Sequence, residues 1–179
     1  MWEIVYKGNL IAVEKHAEKG FERAVRPPGV RLILQNSESE ILLTKEFRPE
    51  QGKVDYRLPG GKVFDDLESY LNVRDDEQKL AAAVMKAAVL EAKQEAGVDE
   101  IKNLEIVARS VAGASIEWDL YYLVGTISAM SEQELDGDEK HHGIAVDFYT
   151  EDQVLTMLRS GEVSEDRTAG VLFRYLSSM

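Results

Sequence analysis

The sequence predicts an α/β chain, and three observations carry that reading. Short stretches of alternating or β-branched apolar residues recur along both halves. An alanine-rich run without Gly or Pro, Lys79 to Ala96, occupies the middle. Two amphipathic helical patterns close the chain. With 179 residues, 44% apolar and 30% charged, the composition is that of a globular protein with room for a sizeable core. A single domain over 1–179 is expected, with an N-terminal hairpin region over 1–28.

Ile4, Tyr6, Leu10, Ile11 and Val13 around Lys7-Gly8-Asn9 predict a hairpin or two short strands between residues 2 and 15. Pro27-Pro28-Gly29 breaks the chain. Val30 to Gln35 is a strong strand, Asn36 to Glu40 a polar turn, and Ile41 to Phe47 the expected antiparallel partner. A loop over 48–52 leads to a short strand, Val54 to Leu58, which enters the Gly60-Gly61 turn. Phe64 to Gln78 is acidic. Leu67, Tyr70 and Leu71 at helical spacing, with Asp65 as N-cap, predict a short helix on a solvated excursion. Lys79 to Ala96 is made of strong helix formers, and Gly97 is placed to end it in a left-handed conformation. Leu104 to Val111 and Trp118 to Ile127 read as strands joined by a loop over 112–117. Ser128 to Gly143 reads as a mobile polar loop, followed by a strand at Ile144-Ala145-Val146. Thr150 caps a helix with Val154, Leu155 and Leu158 inward, ended by Gly161. A last helix, starting in 162–168, turns Val171, Leu172, Tyr175 and Leu176 inward.

The formal net charge is −12, which argues against nucleic acid or an anionic membrane as partner, since either calls for a basic face. There is no cysteine, hence no disulfide, thiolate metal site or cysteine nucleophile. With no long apolar run and no signal-peptide pattern, a cytoplasmic location is expected. Glu91 and Glu95, four apart with Gln94 beside them, share one helix face. Carboxylates at that spacing repel by about 0.2–0.5 kcal/mol. A carbonyl from the Gly-Gly turn, reaching the same face, would complete a set of hard oxygen ligands suited to Mg²⁺ (or Mn²⁺).

Leu58-Pro59-Gly60-Gly61-Lys62 together with Leu90 to Val98 resembles the Nudix box, the Gly-x5-Glu-x7-Arg-Glu-U-x-Glu-Glu-x-Gly-U pattern of hydrolases that cleave nucleoside diphosphates linked to another group. Gly61 matches the opening glycine, Glu91, Gln94 and Glu95 the metal-binding positions, and Gly97-Val98 the close. The box departs from the pattern in several places. Glu91 lies thirty positions after Gly61, where the family has fifteen, so residues 62–78 hold an insertion. Leu90 replaces the arginine, Ala82 the glutamate that pairs with it, and Gln94 a metal-site glutamate. Outside the box, Phe47-Arg48, the Gly113 to Glu117 turn, and Gly161-Glu162-Val163 with Asp166 and Thr168 resemble the ADP-ribose pyrophosphatase branch. Arg57 stands where many of its members have glutamate.

The resemblance implies an α/β/α sandwich with a mixed sheet, an N-terminal hairpin and a homodimer. It implies a Mg²⁺- or Mn²⁺-dependent pyrophosphohydrolase of ADP-ribose or a similar nucleotide sugar. The Gly60 carbonyl, Glu91, Gln94 and Glu95 would hold metal. Arg48, Arg57 and Glu117 would meet the substrate. Glu95, with Glu139 or His142 from the 128–143 loop, would carry the catalysis, either of the latter two serving as general base on water. The altered box also leaves open a weak or inactive nucleotide-sugar sensor on the same fold.

Overall fold

The structure, a computed structural model, describes residues 1–48, 52–135 and 144–178. Its centre is a mixed sheet with strand order β10-β5-β4-β9-β7, and β6 is paired to β5. The strands are β4 (Gly29–Gln35), β5 (Ile41–Arg48), β6 (Lys53–Arg57), β7 (Val98–Ser110), β9 (Leu120–Met130) and β10 (Ala145–Tyr149). A second sheet, in the order β1-β2-β3-β8, joins β1 (Trp2–Lys7), β2 (Ala12–His16), β3 (Glu22–Val25) and β8 (Ile116–Glu117).

Alternate residues of the central strands feed two cores. Val30, Leu32, Leu34, Leu42, Tyr121 and Leu123 face the helices α1 (Leu67–Leu71) and α2 (Glu77–Ala96). Ile33, Ile41, Leu43, Leu120 and Tyr122 face α3 (Glu151–Ser160) and α4 (Asp166–Leu176). The result is an α/β/α sandwich, as expected. The period-2 alternation of a strand makes it possible, because each strand supplies both layers.

α2 forms for local reasons. Asp76 caps it by accepting from the Lys79 N–H at 3.1 Å. Gly97, at φ 65°, ends it in the left-handed region. Leu80, Val84, Ala87, Ala88, Ala92 and Ala96 are its buried stripe. Small residues along that stripe let the helix lie close on β4; a larger side chain at Ala88 or Ala92, both fully buried, would overpack by about 1–3 kcal/mol. Glu91 and Glu95 fall at the half-buried margin of the stripe.

Several expectations need correction. β4 and β5 pair antiparallel as expected, but only at Gln35 with Ile41, while β4 runs parallel to β9 along its whole length. The Gly-Gly turn takes the vacant edge of β4, with the Val30 N–H donating to the Gly61 carbonyl and the Leu32 N–H to the Pro59 carbonyl, each at 2.9 Å. β3 was not foreseen, and residues 116–117 form a strand parallel to β3 rather than loop. Residues 62–78 do not form a wholly solvated excursion. Leu67 is 1% exposed and Tyr70 6%, both in the core beneath α2. The cap of α1 is Asp66, which accepts from the Ser69 N–H at 2.8 Å, not Asp65.

Candidate active site

Gly60 approaches backbone, and Gly61 the end of a side chain, more closely than a Cβ would allow without a shift. Gly60 has φ 145°, and a Cβ there would lie 2.2 Å from the Val30 carbonyl oxygen. A Cβ on Gly61 would lie 2.2 Å from Glu91 Oε1. The Gly60 N–H donates to Glu95 Oε2 at 2.7 Å. The turn is thus laid directly on the two helix carboxylates, and the pair expected from sequence is brought together with it. Gln94 is half-buried beside them, and its main-chain carbonyl accepts from the Glu134 N–H at 3.0 Å. The Gln133 side chain donates to the Glu95 carbonyl. Residues 131–134 therefore run against the carboxylate end of α2. Glu139 and His142 lie outside the described residues.

The Gly60 carbonyl is engaged by a side chain of β4. It accepts from Arg31 Nη1 at 2.9 Å, and the same nitrogen donates to the Val30 carbonyl at 2.9 Å. Burial lowers the Arg31 pKa, while the Glu95 charge works the other way. The sequence signal for Arg31 was a lone charge inside an otherwise apolar strand, and its role was missed.

The remaining expected residues are engaged in ion pairs of their own. Arg48 Nη2 pairs with Glu46 at 2.6 Å. Arg57 Nε pairs with Asp55 at 2.5 Å; Asp55 is fully buried and also accepts from the Ser164 N–H at 3.1 Å. Glu117 accepts from the Tyr70 hydroxyl at 2.8 Å and pairs with Arg23 at 2.9 Å. Glu14, 1% exposed, pairs with Arg23 at 2.7 Å and Arg74 at 2.8 Å. Burial, then the bond to Glu117 and its charge, push the Tyr70 hydroxyl well above its ordinary pKa. This network walls a cavity of about 940 Å³ whose lining includes Arg23, Tyr70, Arg74, Arg109 and Glu117 but neither Glu91 nor Glu95. It meets α2 at Glu77, Leu80 and Ala81, so Glu91 lies about 15 Å further along the helix from Ala81. Sequence patterning did not reveal the network, because its members come from four separated segments.

A family model described as the NUDIX domain matches residues 25–168. The chain belongs to the Nudix family. No protein with curated annotation matches the sequence. Nudix proteins are in general hydrolases of diphosphate linkages and typically use a divalent cation such as Mg²⁺. Two carboxylates on one Nudix helix face fit that cation, which keeps several waters and needs only one or two protein carboxylates besides substrate phosphate. Among the described residues no group of three Asp, Glu or His is placed to hold a metal. No helix of the described residues is long and apolar enough to cross a membrane.

Proposed function

We propose that this Nudix protein is a metal-dependent pyrophosphohydrolase that splits a nucleoside diphosphate linked to a sugar, ADP-ribose or a similar compound, into a nucleoside monophosphate and a sugar phosphate. The observation that carries the reading is the seating of the Gly60-Gly61 turn on Glu91 and Glu95. Two adjacent carboxylates cost free energy by repulsion, and a chain has little reason to press backbone against them unless their positions matter.

Glu91 and Glu95 would hold Mg²⁺ or Mn²⁺, which when bound polarises the diphosphate and lowers the pKa of a bound water. The Gly60 N–H holds Glu95 Oε2 at 2.7 Å, which supports a fixed position for this carboxylate. Gln94 contributes a neutral amide where a third carboxylate would add charge, which weakens the hold on the cation. Glu139 or His142 would take the proton from water; the chain enters their segment from beside Gln94 and Glu95. Arg48 would bind a phosphate oxygen through guanidinium N–H groups not turned to Glu46, and Arg57 and Glu117 would act at the margins of the substrate. A homodimer through the N-terminal sheet is part of the proposal. Its edge strand β1 exposes Ile4, Val5 and Tyr6, an edge that a second copy would cover.

One observation favours a sensor instead. Leu90 is 52% exposed and Ala82 is exposed, so neither stands in for the arginine–glutamate pair of the family's box. Incubation with Mg²⁺ and a panel of ADP-ribose, NAD, GDP-mannose and UDP-glucose, followed by chromatography of the monophosphate, separates the two. Turnover lost in Glu95→Gln supports the hydrolase. Protection against unfolding without turnover supports the sensor.

A further inference from the structure

Arg31 is the one charge in a strand whose neighbours Val30, Leu32, Ile33 and Leu34 are fully buried. A charge in such a place is costly unless hydrogen-bonded, and a guanidinium does not escape the cost by deprotonating. Its Nη1 is spent on two carbonyls, those of Val30 and Gly60. The second belongs to the glycine that also binds Glu95 through its N–H. The Gly60 carbonyl oxygen is therefore already facing a positive charge. Against the same turn stand two carboxylates, Glu91 and Glu95, and the described residues offer no third acidic or histidine ligand grouped with them.

We propose that the Arg31 guanidinium holds, at the Gly60 carbonyl, the place of a divalent cation, so that the protein takes a single cation, on Glu91 and Glu95. The inference rests on the proposed metal site and specifies its stoichiometry. A dication at the Gly60 oxygen would have to sit against the guanidinium, with which it shares sign. Arg31 instead supplies a fixed positive charge that couples to Glu95 and lies in the field of Arg57. The site then needs one cation where a carbonyl free of Arg31 would leave room for a second.

Mn²⁺ bound to the nucleotide-free protein is counted by titration calorimetry, and free Mn²⁺ by electron paramagnetic resonance. One Mn²⁺ per chain, lost in the Glu91→Gln, Glu95→Gln double variant, is expected. Two per chain would overturn the inference while leaving the hydrolase reading intact. None, together with no hydrolysis of any nucleotide sugar, would overturn both. Arg31→Gln adds a readout that a merely structural role does not move. Removing a positive charge near the carboxylates is expected to tighten Mn²⁺ binding by roughly three- to tenfold at low ionic strength. Unchanged or weaker binding by a folded Arg31→Gln variant would overturn the inference. If that variant does not fold, the wild-type stoichiometry still decides.

Discussion

Alanine at Gly60 and at Gly61, one substitution at a time, separates what the turn does for the fold from what it does for the site. At Gly60 the new Cβ meets backbone, the Val30 carbonyl oxygen at 2.2 Å, and φ is 145°. Backbone strain there costs about 1–3 kcal/mol, and forcing β4 and the turn apart costs a further ~1–3 kcal/mol. A chain of this size loses about 2–4 °C in Tm per kcal/mol, so Gly60→Ala should melt roughly 4–24 °C lower. At Gly61 the new Cβ meets the end of a flexible side chain, Glu91 Oε1 at 2.2 Å and Cδ at 2.5 Å. The carboxylate must retreat by about 1 Å to reach normal contact, which costs little stability. A displacement of about 1 Å at a reacting centre is worth on the order of 100-fold in rate. Gly61→Ala should therefore melt within about 2 °C of wild type yet lose most of its Mn²⁺ binding and turnover. Thermal denaturation with and without Mn²⁺ gives both numbers. Equal destabilisation of the two variants, or wild-type Mn²⁺ binding by Gly61→Ala, would refute the reasoning.

Further outcomes follow from the packing and the charges. Leu67→Ala should cost about 2–5 kcal/mol in urea denaturation, the range for a fully buried leucine; a change below about 0.5 kcal/mol would mean that the insertion does not share the core. Asp55 is buried, which alone would raise its pKa, but hydrogen bonds from Arg57 and Ser164 outweigh burial and hold it below the ordinary value. Its contribution is thus present above the unfolded value of ~3.9 and is lost as pH falls through the lower folded value. Asp55→Asn should flatten the acid limb of a stability–pH curve below about pH 4, and an unchanged limb would assign acid unfolding to other carboxylates. Val5→Lys should convert a dimer to a monomer in light scattering, whereas a wild-type monomer would remove the proposed interface.

The parts legible from sequence are those fixed by local chemistry. α2 declared itself through its composition and Gly97. α3 did so through Thr150, whose side chain forms a capping box with Gln153, and Gly161 ends it at φ 76°. The Gly-Gly turn and the two glutamates were legible as a motif. What escaped depends on partners far apart in the chain. β8 is two residues long and exists because β3 runs beside it. β7 starts at Val98, six residues before the expected Leu104, because Asp99, Glu100, Lys102 and Asn103 are exposed and the register against β9 shifts there, so no apolar alternation shows. Glu117 was read from its turn, but Arg23 and Tyr70, which engage it, lie in segments with no sequence link to it. Arg31 stood in plain view inside an apolar strand, yet only the fold shows that its target is the Gly60 carbonyl.

The most direct test of the central claim is release of nucleoside monophosphate from the nucleotide-sugar panel with Mg²⁺, run side by side on wild type, Glu91→Gln and Glu95→Gln. The account predicts turnover of at least one compound by wild type, abolished by chelation and reduced by two orders of magnitude or more, roughly, in each variant. Turnover that survives both substitutions, or no turnover and no Mn²⁺ bound by wild type, would contradict it.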